Sequence, residues 1–402
     1  MIETAIPLQR LKPAIGFTQG LPPLSLYIHV PWCVRKCPYC DFNSHERKQE
    51  IPEARYLAAL RRDLEATLPL VWGRTVYTVF IGGGTPSLLS GEAIEQMLAM
   101  VRSYLPLTPD AEITMEANPG TAEADRFAQY AAAGVNRISL GVQSFDDQAL
   151  QQLGRIHNAA QAEQAIALAM SAVDQVNIDL MYALPGQTVG KARADVQRAL
   201  QFGTQHLSLY HLTMEPNTVF AKYPPKGLPD EDSAADIQDM LLQATQEAGF
   251  EHYEISAYAR PGCRARHNLN YWEFGDYIGI GPGAHSKLSF HDRIIRRANI
   301  KHPQGWMDRT LDGDGSARLM SEQVLTVGDL PFEFMLNALR LVNGVPATLF
   351  QERTSLSLLT VAPTIRKAVE RGLLKSDPLT ICPTEQGQAF LNDLQAMFLP
   401  SE

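Results

Sequence analysis

From Leu24 onward the chain alternates short β-rich runs with helical stretches, and this alternation constrains its fold more than any other feature. The runs are LSLYIHV (24–30), TVYTVFIGG (75–83), AEITMEANP (111–119), RISLGVQS (137–144), QVNIDLMYAL (175–184) and HLSLYHLT (206–213). Apolar, β-branched and aromatic residues dominate them, and Gly, Pro or Asn often closes them, as in buried parallel strands. The gaps read as helices. In 52–68, Tyr56, Leu57, Leu60, Leu64 and Leu68 recur at helical spacing and share one face. The stretches 90–104, 121–133, 159–172, 188–202 and 231–248 follow the same pattern. Such βαβ units cross over right-handedly around a parallel sheet. Six of them predict an α/β fold, a partial (β/α)6 TIM-like barrel, because a closed barrel needs eight. Pattern alone also admits a doubly wound open sheet. HYEISAYA (252–259) is expected at or beyond the sheet edge.

Composition shifts after about residue 300, and the 402 residues suit one large and one small domain. The expected division is a leader (1–23), a core barrel with its extension (24–300), a connector (301–330) and a C-terminal module (331–402). The segment 312–330 is rich in Gly, Asp and Ser. Helices are expected near 331–342, 346–352 and 361–371, then a two-stranded turn around Asp377–Pro378 and a closing helix. That succession is winged-helix-like, but it carries no basic recognition helix, so packing or docking is expected of it rather than DNA binding. The net charge of −9 likewise argues against a nucleic-acid partner. No signal-peptide pattern opens the chain and no apolar run is long enough to span a membrane, so a cytoplasmic protein is expected.

Three of the five cysteines fall within eight residues, Cys33-Val-Arg-Lys-Cys37-Pro-Tyr-Cys40, directly after the first β run. An odd total is no disulfide framework. Three thiolates on one tight loop can reach three corners of a [4Fe–4S] cubane and leave the fourth iron open. Cys263 and Cys382 have no spacing that marks either as a fourth ligand. An open iron suits S-adenosylmethionine (SAM), whose amino and carboxylate groups can chelate it while the reduced cluster cleaves the sulfonium to a 5′-deoxyadenosyl radical. A Cys₃His zinc site using His29 or His45 is the competing reading, although zinc ligands usually come as two separated pairs.

CxxxCxxC at the end of the first strand, and the surrounding YIHVPWCVRKCPYCDFNS, resemble the radical SAM superfamily. Within it the chain resembles the family of oxygen-independent coproporphyrinogen III oxidase and HemW, from Leu24 to the C-terminal module. The resemblance implies roles for several rim residues. Gly83, Gly84 and Thr85 belong to GGGTP, whose glycines permit close backbone approach and exposed N–H groups, a weak signal on its own; the resemblance implies that this loop holds the SAM amino group. Glu116, Gln143 and Asp179 would end strands at the same rim and contact SAM, with Arg155, on the helical stretch after the fourth strand, pairing its carboxylate. Tyr27 and Tyr39 match positions near the cluster and the adenine. Singly, each could be no more than a satisfied polar strand cap.

Two features divide the family. The oxidases extend the motif to CxxxCxxCxC, whereas Phe42 stands here two residues after Cys40. His267-Asn268-Leu-Asn-Tyr271 resembles the HNxxY motif that HemW-like proteins associate with heme. A histidine can ligate heme iron, with Tyr271 as neighbour or second ligand, although an isolated His before a strand is more often structural. A Cys263–His267 metal pair would lack partners. The run HNLNYWEFGDYIGIGPGAHSK (267–287) is aromatic and Gly-rich, suited to a flat ligand. The resemblance therefore implies a heme chaperone carrying a SAM-binding cluster, with heme-accepting proteins and an electron donor as partners. Anaerobic oxidative decarboxylation of a porphyrin precursor is the alternative, and the sequence leaves a homodimer open.

Overall fold

The computed structural model describes residues 15–17, 20–120 and 124–400. Most of the leader 1–23, and the first residues of the helical stretch 121–133, lie outside the described residues.

The six expected strands are β1 (Leu24–Val30), β2 (Val76–Gly83), β3 (Leu107–Ala117), β4 (Arg137–Gln143), β5 (Gln175–Tyr182) and β6 (His206–His211). Each is parallel to its predecessor. HYEISAYA forms two short strands rather than one, β7 (Glu251–Glu254) and β8 (Ala257–Ala259), antiparallel at the edge beyond β6. A seventh parallel strand, β9 (Asp276–Ile280), continues the run on the other side of β1. Strands β10 (His285–Ser289), β11 (Ile294–Asn299) and β12 (Leu319–Val324) extend it antiparallel. The order is β12-β11-β10-β9-β1-β2-β3-β4-β5-β6-β8-β7.

Side chains alternate across the sheet. Leu24, Leu26, Ile28 and Val30 of β1 and Val79 and Ile81 of β2 are fully buried in the layer shared with the helices. Each such side chain stabilises the fold by about 1.5–3 kcal/mol. Helices Glu53–Thr67, Gly91–Tyr104, Ala124–Ala133 and Ala159–Ala172 contact one another in succession, forming one curved outer layer instead of the two faces of a doubly wound sheet. The alternate residues are polar and line the concave side. There Thr78 Oγ1 donates to Ser25 Oγ (2.7 Å), Asn177 Nδ2 donates to Ser139 Oγ (2.8 Å), and Ser208 Oγ donates to Asn177 Oδ1 (3.1 Å).

Helix Arg266–Trp272 seats against the first residues of β1, β2 and β9. Its own N-cap side chain is lacking, so Glu112 of β3 takes that part: the N–H groups of Arg266 and His267 donate to its two carboxylate oxygens at 3.0 and 2.9 Å. His267 thus lies in the first turn of a helix, where the sequence suggested only a histidine before a strand. Residues 301–330 contain helix Pro303–Leu311 and strand β12. The C-terminal helices Leu330–Ala338, Ala347–Thr354 and Ala362–Glu370 pack Phe334, Phe350 and Ala368 into a second core that also takes in Phe274 and Ile294. Arg340 fastens this module, donating to Glu254 (2.8 Å) while its guanidinium lies over the Trp272 ring (4.3 Å).

Candidate functional site

The cysteine loop leaves the C-terminal end of β1 and is closed by a two-residue parallel ladder, Trp32–Cys33 with His45–Glu46. The glycine loop after β2 is zipped onto it: Gly84 N donates to Val30 O (2.7 Å) and Thr85 N to Trp32 O (2.8 Å). A Cβ at Gly84 would stand 2.5 Å from Trp32 O, so the two loops meet at a distance only glycine allows. Gly83, at φ +117°, has the His29 ring where a Cβ would go. Its N–H donates to Glu116 Oε2 (2.9 Å). The N–H groups of Gly83, Gly84 and Thr85, expected free for a ligand, are therefore already engaged.

Each thiol has a polar side chain beside it. Thr85 Oγ1 donates to Cys33 Sγ (3.5 Å), Arg155 Nη1 donates to Cys37 Sγ (3.6 Å), and Ser44 Oγ lies 3.6 Å from Cys40 Sγ. Burial raises the Cys33 pKa, the Thr85 bond lowers it, and the other two thiols raise it, so the three sulfurs feel one another. Such a group needs a cation to become thiolate. His29 is unsuited to serve as a zinc ligand beside them. Its Nε2 donates to the carbonyl of Asn43 (2.8 Å) and its Nδ1 therefore accepts from Tyr27 OH (2.8 Å). His45 Nε2 is engaged by Asn43 Oδ1 (3.1 Å).

Arg155 lies in the turn after the short helix Asp147–Gln152, not on it. Its Nη2 donates to Asn118 Oδ1 (2.7 Å) and Gly141 O (2.6 Å), which aims the guanidinium at the cysteine loop. Asn118 Nδ2 in turn donates to Thr85 Oγ1 (2.8 Å). Asn118 was missed in the sequence, although its place two residues after Glu116 in TMEANPG was a signal. Thr85, Asn118, Arg155 and Cys37 line one narrow crevice. Gln143 ends β4 with φ +71°, a left-handed backbone at a register shift against β5. Tyr39 packs its ring against Phe220, centroids 6.4 Å apart.

Beside the crevice opens a cavity of about 500 Å³. Tyr27, His29, Gly83 and Glu116 form its barrel side. Tyr271, Trp272, Phe274 and Tyr277 form an aromatic wall, and Phe42, His285, Lys287, Arg296, Lys301 and Asn337 complete it. Glu116 is the buried acid on the barrel side: burial pushes its pKa up to about 8, against the pull of the Gly83 N–H and with a further push from Asp179. Asp179 is held on the barrel face by Asn177 Nδ2 (2.7 Å) and Ser139 Oγ (3.0 Å), and burial raises it too. Lys287, 1% exposed, donates to Asp276 Oδ1 (3.0 Å) and Phe274 O (2.8 Å); burial lowers its pKa to about 8. Arg296 donates to Tyr277 OH (2.8 Å) and pairs with Glu333. Arg296 and Asn337 had no signal in the sequence, because only the hairpin and the C-terminal module bring them here.

The HNLNY residues divide between two roles. Tyr271 faces the cavity. His267 is 1% exposed and lies behind it, Nε2 3.1 Å from Tyr271 OH and Nδ1 2.8 Å from Thr78 Oγ1. Asn268 is half-buried and outside the cavity lining, while Asn270, unremarked in the sequence, donates to Ser25 Oγ and Asp276 O, both at 2.9 Å.

The Radical SAM superfamily model matches residues 27–199 and the HemN C-terminal domain model residues 325–390. The heme chaperone HemW of Escherichia coli K12 is 49% identical over 381 residues, 94% of this chain and 99% of that protein. The chain belongs to the HemW family of radical SAM proteins. Other relatives of the family include the heme chaperone HemW of Haemophilus influenzae, 47% identical over 95% of this chain and 99% of that protein. A mitochondrial radical S-adenosyl methionine domain-containing protein 1 from Bos taurus is 36% identical over 98% of this chain and 92% of its own. The solved coproporphyrinogen III oxidase (HemN) of Escherichia coli shares the fold, with a TM-score of 0.80 at 23% identity over 94% of this chain and 90% of that one. Radical SAM membership implies a [4Fe–4S] cluster and SAM. The loop's three thiols, each with a polar neighbour, fit the first. No helix among the described residues is long and apolar enough to cross a membrane.

Proposed function

We propose that this protein is a heme chaperone: it binds heme in the aromatic-walled cavity and passes it to heme-accepting proteins. The near full-length likeness to proteins named heme chaperone HemW carries the reading. The cavity supports it, since a space of about 500 Å³ with one wall of Tyr271, Trp272 and Tyr277 suits a flat apolar ring. Lys301 and His285, also in the lining, offer donors to carboxylates.

Cys33, Cys37 and Cys40 would hold the [4Fe–4S] cluster and leave one iron to SAM, whose reductive cleavage supplies radical chemistry when an electron donor is present. Arg155, fixed by Asn118 and Gly141 O, sets the charge beside Cys37. Glu116, Gly83 and Tyr27 face the cavity where SAM and heme would approach each other. With the N–H groups of the glycine loop engaged, its carbonyls and Glu116 are left to accept from the SAM amino group. Gln143 and Asp179 complete the rim, and Tyr39 packs beside the cysteines. On this reading residues 24–300 carry the cluster and SAM site and most of the heme cavity, to which Lys301 of the connector 301–330 and Asn337 of the module 331–402 add their side chains, and the protein works in the cytoplasm.

Phe42, 58% exposed on the cavity lining, disfavours the oxidase reading, because it stands where those enzymes place a further cysteine. Anaerobic titration of the cluster-loaded protein with heme tests the proposal. A saturable, stoichiometric Soret band and transfer to an apo-hemoprotein are expected. Absence of specific binding, with turnover of coproporphyrinogen, would replace the chaperone by the oxidase.

A further inference from the structure

We infer that His285 and Lys301 form a carboxylate subsite at the cavity mouth, which takes the two propionates of heme and so fixes which edge of the ring enters first. This rests on the reading of the cavity as a heme site and adds an orientation and a selectivity to it.

Strand register gives the lining two ends. Tyr277 of β9 pairs with Lys287 of β10, and Lys287 with Arg296 of β11. β9 runs parallel to β1, whose C-terminal end leads into the cysteine loop. β10 runs the other way, so its first residue, His285, stands two residues, roughly 7 Å, nearer that loop than the Tyr277 row. Lys301 follows the end of β11 at the same side, and its carbonyl accepts from Asn43 Nδ2 of the cysteine loop (2.9 Å). At the other end Tyr271 stands edge-on to Tyr277 with centroids 4.5 Å apart, and Phe274 is buried. His285 and Lys301 are exposed, whereas Tyr271 and Tyr277 are half-buried. The cavity is therefore aromatic inside and basic at its mouth.

Charge separates the two ends as well. Lys287 is matched by Asp276 (3.0 Å), and Arg296 by Glu333. Among the described residues neither the His285 ring nor the Lys301 ammonium has a hydrogen-bond or ion-pair partner. The potential at the His285 ring is positive: after burial, Lys301 and Arg296 lower its pKa, and no carboxylate offsets them there. Such a field in a chain of net charge −9 is a place for an anion. Heme carries its two carboxylates on one edge and apolar vinyl and methyl groups on the other. A carboxylate pressed among Tyr271, Phe274 and Tyr277 would lose its water without gaining an unpaired cation, whereas at the mouth it keeps water and gains Lys301. A ring with four carboxylates around its rim cannot satisfy all of them here, so the subsite selects heme over coproheme.

The test compares ferric heme with its dimethyl ester and wild type with Lys301→Met, using Soret titrations of the cluster-loaded protein. Blocking both carboxylates should weaken wild-type binding roughly tenfold, and Lys301→Met should weaken heme roughly fivefold while leaving the ester unchanged. His285→Gln should likewise weaken heme more than the ester, and coproheme should bind wild type more weakly than heme. A side chain that only shapes the mouth would shift heme and ester alike. That outcome, or equal affinities of wild type for heme and ester, overturns the subsite while heme binding stands. If wild type takes up no heme at all, the heme reading falls and the subsite falls with it.

Discussion

Replacing Glu116 by Gln removes a carboxyl group that the barrel holds neutral. Burial raises its pKa from 4.5 to about 8, so at pH 7 about nine-tenths of the molecules without SAM carry this proton. On the proposed reading SAM brings a sulfonium cation into the same space, and a cation close by favours the carboxylate. If binding lowers the pKa below about 6, uptake of SAM at pH 7 expels about 0.8 proton from Glu116. The SAM amino group can release a proton of its own, so the diagnostic quantity is the difference between wild type and Glu116→Gln. Titration calorimetry of the anaerobic, cluster-loaded proteins in two buffers of different ionisation enthalpy measures it. The difference should be about 0.8 proton at pH 7 and vanish near pH 9, where Glu116 is already ionised. Stability gives an independent check with a definite sign. A carboxyl with a raised folded pKa favours the fold at low pH, and that contribution is lost as pH climbs from 4.5 to about 8. The whole window is worth at most about 5 kcal/mol, less because Glu116 faces a water-accessible cavity. Glu116→Gln without SAM should therefore melt above wild type at pH 8, and the gap should close at pH 5. Equal proton release by the two proteins at pH 7 would refute the reasoning.

Cys37→Ala should remove the cluster absorption near roughly 400 nm in reconstituted protein, and an unchanged spectrum would take Cys37 out of the ligand set. Gly84→Ala puts a Cβ 2.5 Å from Trp32 O, so iron per chain should fall while the far-ultraviolet circular dichroism stays that of the native barrel. Asp63→Ala strips a buried carboxylate from Arg318 Nε (2.5 Å), Gly281 N (2.9 Å) and Asn299 Nδ2 (2.8 Å). Loss of about 3–5 kcal/mol is expected in chemical denaturation, and a loss below about 1 kcal/mol would show that the pair contributes little.

The barrel was legible because its signals are local. Leu24, Leu26, Ile28 and Val30 lie next to their own helical partners in the chain, and the βα periodicity states which face is buried. The cysteine loop was legible too, since three thiols within eight residues need only the end of β1 to hold them. Strand β9 was not legible: DYIGI lies in a glycine-rich aromatic stretch, and it joins β1 only because the chain returns across the open side of the barrel.

The sequence by itself determined the fold class and the thiol loop, which depend on spacing along the chain, and it marked Glu116 and the HNLNY segment as candidates through their resemblance to the family. Tertiary structure alone decided their division of labour. It buried His267 against Thr78 and turned Tyr271 to the cavity, since residues four apart on a helix share a face but only packing says which is covered. It engaged the Gly83 amide with Glu116 and the Gly84 and Thr85 amides with the Val30 and Trp32 carbonyls, and it brought Arg296 and Asn337 to a site more than 200 residues from the cysteines. Such contacts arise from the closure of distant segments, and no local pattern records them.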